Sequence, residues 1–322
     1  MDSLPVEATK PLRRIGAGHC GSVWAALASN KYPGLLIALK REDGSPGRSL
    51  RNEFTIQSQV YQLGLGSVLV PSPLSFIERS GDWSSILPHL PEGFEPCNAM
   101  MSEYIKPVSD ACRQVLAERY CPQGMLPSQI LNSPENEHCL VRIYLGRRRF
   151  ASDDKKRHLS RFFSLRNFPL HMDQVEELGL TCDVWAKAMG GALATIHWKL
   201  RIDGADIEFV LGAPRDTLKK ADNLNESALW VLDFDCCKPI TPDSAGLTAI
   251  ARAFWRNDPY YPRPGTANEK DQELWNIFAE EYKRVGKEIL EGEGATDLHS
   301  LVDEAVSRIE ETRGKFSSST HI

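Results

Sequence analysis

The chain has 322 residues, of which 42% are hydrophobic and 25% charged, and its formal net charge is −5. That length can bury a full core in one large domain or two lobes, and the acidic balance gives no electrostatic reason to expect a nucleic-acid partner. No apolar stretch reaches the roughly 18 residues of a membrane helix, so no membrane partner is expected.

The opening Met1-Asp-Ser-Leu-Pro5 lacks the basic-then-apolar pattern of a signal peptide, which predicts a cytoplasmic or nuclear protein. The eight cysteines are scattered, with no C-x-x-C pair and no Cys/His array. Structural zinc needs such spacing, so none is expected.

In chain order, residues 12–15 and 22–27 read as a β-hairpin and 35–39 as a third strand. Turn chemistry lies at Asn30-Lys-Tyr-Pro-Gly34. Residues 42–48 are glycine, proline and charge, hence a loop. Apolar residues at three-to-four spacing predict a helix over 50–63. Strands are expected at 68–77 and 99–105, with a Pro/Gly-rich loop at 81–97. Proline ends the second of these strands, and Lys106-Pro107 is the expected hinge.

Beyond it, a short helix is expected at 109–119, a strand at 139–145 and helices at 172–179 and 182–200. The last is small and apolar around most of its circumference, which predicts burial. The basic runs Arg147-Arg-Arg149 and Lys155-Lys-Arg157 read as a solvated hairpin end. Residues 207–211 and 229–234 form a hairpin with a polar excursion. Helices at 244–255, 268–290 and 298–313 follow, then a Ser-rich tail over 315–322 expected to be disordered.

The chemistry-bearing pattern begins at Gly16-Ala-Gly18-His-Cys-Gly21-Ser-Val23, a G-x-G-x-x-G-x-V run followed by Ala38-Leu-Lys40. The same glycine spacing opens a helix in dinucleotide-binding folds. Here Ser22 to Leu27 is strand-like, which favours a hairpin closing over phosphates, with a lysine on the next strand to hold them. Glu53 on the first helix is placed to pair with Lys40. Trp230-Val-Leu-Asp233-Phe-Asp235 is an apolar strand ending in Asp-Phe-Asp, which resembles a metal-binding turn. A carboxylate there suits Mg²⁺ against phosphate oxygens. Upstream, Arg201-Ile-Asp203-Gly-Ala-Asp206-Ile-Glu208 fits a D-x-x-x-x-N frame, with Asp203 as base and Glu208 as second metal ligand. Each residue also has a structural reading. Lys40 could end a strand at the surface, Glu53 could be a solvated helix residue, and both aspartate motifs could be turn caps.

In their order along the chain these elements resemble the protein-kinase-like superfamily. In detail the chain resembles a fungal group, domain of unknown function 3669, described as zinc-finger-protein-like. The match rests on residues 202–212, 229–235 and Asn257-Asp-Pro-Tyr-Tyr-Pro-Arg-Pro264, and covers about 10–290. The resemblance implies an α+β bilobal fold, with a β-rich N-lobe carrying one helix over 1–106 and a mainly helical C-lobe over 107–314. An inserted segment is expected at about 108–170.

It implies ATP and Mg²⁺ as cofactors. Gly16, Gly18, Gly21, Val23, Ala38, Lys40, Glu103 and Ile105 would contact the nucleotide, Asp203, Lys40 and Glu53 would be catalytic, and Asp233 and Glu208 would hold metal. The sequence departs from the family pattern at Arg201-Ile-Asp203, Glu208 and Asp235, and lacks an activation loop. The expected function is therefore phosphotransfer to a small molecule or unusual acceptor. The alternative is a pseudokinase-type nucleotide-binding or protein-interaction module without catalysis.

Overall fold

The computed structural model describes residues 12–26, 36–149, 163–215 and 223–316. The turn expected at 30–34, the basic triplet at 155–157 and residues 317–322 of the expected tail lie outside the described residues. The described chain is mixed α+β, with eight α-helices and two sheets. It divides into two compact units, one of residues 1–63, 70–105 and 233–236, the other of 64–69, 106–232 and 237–322. Among the described residues, no helix is long and apolar enough to cross a membrane.

The first unit contains β1 (Arg13–Ala17), β2 (Ser22–Ala26), β3 (Ile37–Arg41), α1 (Leu50–Leu63), β4 (Pro73–Ile77) and β5 (Ala99–Glu103). The five strands form an antiparallel sheet in the order β1-β2-β3-β5-β4. Strand alternation gives the sheet two faces. Trp24, Ile37, Leu39, Ala99 and Met101 are buried together on one face. Val23, Ala38 and Lys40 alternate with them and so lie on the other face, which α1 covers through Leu50 and Phe54 against Cys20, Met100 and Phe76.

The 81–97 segment is an irregular loop, as expected, and it also contributes to packing, because Trp83, Ile86 and Leu90 insert into the core of the first face. Its backbone is satisfied by local bonds such as Ile86 N–H to Trp83 O and Leu90 N–H to Leu87 O. The strand expected at 68–77 is shorter, Pro73–Ile77. Gly64 and Gly66 adopt positive φ, and Leu69 instead bridges Trp230 in the second unit.

The second unit contains α2 (Asp110–Tyr120), α3 (Pro127–Leu131), β6 (Val141–Tyr144), β7 (Phe168–His171), α4 (Met172–Glu177) and α5 (Cys182–Trp198). After these come β8 (Glu208–Gly212), β9 (Ala228–Leu232), α6 (Ser244–Arg256), α7 (Glu269–Gly292) and α8 (His299–Glu311). Its sheet runs β7-β6-β8-β9, with β6 and β7 parallel and the other pairs antiparallel. β7 was not expected. It contains Pro169, which an edge strand tolerates because one row of N–H groups has no ladder partner. Helix α5 is buried along most of one side, and Gly190 lets it approach the backbone of α7 at Phe278.

The basic run at 147–149 is not a solvated hairpin end. Arg148 pairs with Glu176 and Asp271, and Arg149 with Asp173. Those partners stand on α4 and α7, far away in sequence.

Gly21 has φ +150°, and a Cβ there would overlap the carbonyl oxygen of Arg41. At Gly18 a Cβ would meet nothing within 4 Å. Gly21→Ala should therefore lower stability by about 1–3 kcal/mol, whereas Gly18→Ala should stay within about 1 kcal/mol of wild type. Urea unfolding of the two variants tests this, and equal effects would contradict the stated role of Gly21.

Candidate functional site

The site in the first unit is built around one ammonium. Strand alternation places Lys40 on the α1 face, and Glu53 lies in the first turn of α1. That turn starts firmly, since Glu42 accepts the Leu50 N–H at 2.8 Å and Ser49 Oγ accepts that of Asn52 at 3.2 Å. Lys40 Nζ donates to Glu53 Oε1 and Oε2 at 2.9 and 2.7 Å, and to Asp233 Oδ1 at 2.5 Å. An ammonium has three donors, and here all three are used.

The arithmetic of charge is uneven, with two carboxylates to one lysine in a mostly buried place. Burial and the negative charges of Asp233 and Asp235 push the Glu53 carboxyl upward, against the pull of Lys40. Burial alone would lower Lys40, but Asp233 and Glu53 outweigh it and hold the ammonium well above its ordinary value. Both partners move in the direction expected of a site with excess negative charge, which favours any bound proton or cation. Cys20, beside the same group, is pushed up to about 12, chiefly by burial, and so is a thiol at neutral pH.

Asp233 reaches this position through an unusual backbone. Its φ is 71°, in the left-handed region. The following residues are tied to the same unit. Arg48 Nη1 donates to both oxygens of Asp235 at 3.0 and 3.2 Å, and Asn52 Nδ2 donates to the Asp235 carbonyl at 3.1 Å. Neither Arg48 nor Asn52 was anticipated. Arg48 sits in a stretch of glycine, proline and charge that carries no periodic signal.

The glycine turn joins β1 and β2. Gly18 N–H bonds to Gly21 O at 2.9 Å, and the His19 and Cys20 carbonyls accept from Ser45 and Gly44. Asp43 receives the Ser22 N–H and hydroxyl, both at 2.7 Å. Gly16 and Gly18 have ordinary φ, and a Cβ on either would make no close contact. Val23 and Ala38 are half-buried on the Lys40 face. The Glu103 side chain is committed to structure, accepting the Ser72 N–H at 3.0 Å. Tyr104 N–H is taken by Leu36 O, whereas Ile105 N–H makes no backbone bond among the described residues.

Asp203 lies in the second unit and is buried. Its Oδ1 accepts the N–H groups of Lys238 at 2.9 Å and Ala205 at 3.1 Å. Burial raises its pKa despite those bonds and the nearby Lys238 charge. Its backbone is held from beneath. His197 Nε2 lies 3.2 Å from the Asp203 carbonyl, and Nδ1 lies 2.8 Å from Tyr282 Oη, which also accepts from Trp198 Nε1. A carbonyl can only accept, so Nε2 carries the proton and Nδ1 accepts from the tyrosine. Burial lowers His197 to about 3, so the ring is neutral.

The next turn is held by Asn257, a buried residue of the motif Asn257-Asp-Pro-Tyr-Tyr-Pro-Arg-Pro264. Its Oδ1 accepts the Asp206 N–H at 2.5 Å, and Nδ2 lies 3.3 and 3.4 Å from the carbonyls of Gly204 and Ile207. Arg263 in turn donates to the carbonyls of Phe254 and Asn257 at 2.6 and 3.0 Å.

Glu208, expected as a second metal ligand, is placed otherwise. It begins β8, and both of its oxygens accept from Arg142 Nη2 on β6, at 2.6 and 2.8 Å. A carboxylate paired in this way is occupied by a guanidinium, so its role as a metal ligand is not supported. The partner lies 66 positions upstream, beyond the reach of local pattern.

Among known families, a model of domain of unknown function 3669, described as zinc finger protein, matches residues 229–294. That span contains all but the first residue of β9, the Asp233 turn and the Asn257 motif. Its only cysteines are the adjacent Cys236 and Cys237, and it contains no histidine, so it cannot by itself supply the four cysteine or histidine ligands of a zinc finger. Among the described residues, no three cysteine or histidine side chains converge on one point. No curated protein matches the chain.

Two outcomes are expected. Lys40→Met leaves two mostly buried carboxylates without their cation and should cost about 3–5 kcal/mol. Adding Glu53→Gln should recover much of that loss in urea unfolding, and failure to recover any would contradict the charge balance described.

His197 also couples stability to pH. Its folded pKa of about 3 lies below the ordinary 6.5, so the unfolded chain binds more protons between those values. The contribution is complete above about pH 6.5 and is lost as pH falls toward 3. His197→Gln should flatten this part of the stability profile, and an unchanged slope would contradict a neutral buried ring.

Proposed function

We propose that the chain is a kinase-like protein that binds ATP with Mg²⁺ and transfers a phosphoryl group to a small molecule or unusual acceptor. The observation that carries this reading is Lys40, which is ion-paired to Glu53 and also touches Asp233. A lysine held this way is pre-positioned for phosphate oxygens, which are the natural competitors for its N–H groups. The excess carboxylate charge around it suits a hard divalent cation, since Mg²⁺ prefers one or two carboxylates together with phosphate oxygens.

Asp233 would hold the metal, which when bound would offset the charge of the β- and γ-phosphates. Lys40 would bind phosphate, and Glu53 would keep Lys40 in place. Gly16 and Gly18, which no packing demand explains, would let backbone approach the phosphates. The half-buried Val23 and Ala38 would give a purine an apolar floor, with a backbone donor at Ile105. Asp203 would take the acceptor's proton, helped by its raised pKa. Only residues 237–243 separate the Asp233 turn from α6, which leaves little chain to recognise a peptide and favours a small acceptor.

One observation favours a second reading, a nucleotide-binding module without catalysis. Glu208 is spent on Arg142, so it is not available as the expected second metal ligand. The two readings share the nucleotide site and differ in turnover.

Thermal melts with ATP, with and without Mg²⁺, test the shared part, because a ligand that binds only the folded state raises the melting temperature. Wild type should be stabilised, and more so with Mg²⁺. Asp233→Asn should lose the Mg²⁺ increment. Lys40→Arg keeps the charge but misplaces it, and should lose most of the nucleotide shift. Slow ADP formation that Asp203→Asn abolishes would support the enzyme, and binding without ADP formation would support the module. No shift with ATP under any condition would overturn both.

A further inference from the structure

We propose that Asp235 anchors the Asp233 turn rather than serving as a second metal carboxylate, and that Arg48 is the positioning residue that holds it. The proposal rests on the nucleotide reading for its consequence, but its geometry stands by itself in the first unit.

Asp233 adopts φ 71°. A non-glycine residue there carries a conformational cost and persists only where its surroundings over-determine it. Three side chains of the first unit do so. Lys40 takes the Asp233 carboxylate, Asn52 takes the Asp235 carbonyl at 3.1 Å, and Arg48 takes the Asp235 carboxylate. The four residues 233–236 group with the first unit although the chain on both sides of them belongs to the second. The tethers from α1 and the segment just before it account for that grouping.

Burial and charge argue against a metal role for Asp235. Its side chain is 1% exposed, and one guanidinium nitrogen lies within 3.2 Å of both its oxygens. That nitrogen also lies 2.7 Å from the Cys236 sulfur, so Arg48 spans two consecutive residues of the turn. A cation approaching Asp235 would face a guanidinium already in place, whereas at Asp233 it would face an ammonium that is also shared with Glu53. Asp233 and Asp235 thus divide their work. The first presents charge, and the second fixes the backbone that presents it.

If Arg48 only competed for a metal carboxylate, removing it would tighten metal binding. If it positions the turn, removing it loosens Asp233, and outer-shell partners of metal ligands typically matter by about 10–100-fold in affinity.

The experiment uses the full chain as wild type, Arg48→Met, Asp235→Asn and the double variant. Arg48→Lys serves if the methionine variant does not fold. Amide hydrogen exchange without ligand should speed up over residues 234–238 in each single variant, with β5 unchanged. The double variant should exchange no faster than either single one. Unchanged exchange in both single variants overturns the proposal.

In parallel, the Mg²⁺ concentration for half-maximal stabilisation at fixed ATP should rise about tenfold or more in both single variants, without additivity. A rise in Asp235→Asn alongside a fall or no change in Arg48→Met would make Asp235 a metal ligand and overturn the proposal. If MgATP does not stabilise wild type, the nucleotide reading falls and the exchange data alone decide the anchor.

Discussion

The Lys40 ammonium, with its three donors divided between Glu53 and Asp233, is the interaction on which the first unit's chemistry depends. It ties a strand, a helix and a turn to one point. Because two carboxylates share one cation, the point remains electrostatically incomplete. An isolated buried ion pair tends to balance its own desolvation and is weak evidence of purpose. A partly buried triad with two carboxylates to one ammonium is different. It costs stability in the free protein, and a bound cation would relieve that cost. This asymmetry gives the nucleotide and metal reading its physical content.

The second unit shows a different strategy. The Asp203 turn is fixed by neutral hydrogen bonds, through His197 and Tyr282 on one side and Asn257 on the other. Every donor in that network faces an acceptor, so the backbone can be held tightly at little electrostatic cost. Asp206 at φ 64° and Arg201 at φ 56° are the strained positions that such bracing maintains. The family match over 229–294 spans both the Asp233 turn and Asn257. Its zinc-finger description finds no set of four cysteine or histidine ligands within that span.

What could be read from sequence follows from the range of the interactions. Helix α1 spans the expected 50–63 because its apolar spacing is local, and β8 and β9 pair as a hairpin because two apolar runs flank a polar excursion. The Lys40–Glu53 pair was legible as a strand lysine followed by a helix glutamate. The 81–97 segment was legible as a loop from its proline and glycine, but those residues also erase periodicity, so nothing local marked the three large apolar residues in it that seal a sheet face. β7 went unnoticed because Pro169 argues against a strand unless it lies at an edge. Glu208 looked like a metal ligand because its spacing fitted, while Arg142 on a neighbouring strand was invisible to any local pattern. The arginines at 148 and 149 were likewise neutralised by residues from distant helices.

The most direct test of the central claim is calorimetric titration of the purified chain with ATP, in the presence and absence of Mg²⁺, repeated on Asp233→Asn. The account predicts saturable binding to wild type that tightens when Mg²⁺ is added, with the tightening lost in the variant. No binding up to millimolar ATP, or binding that ignores both Mg²⁺ and the Asp233 substitution, would contradict it.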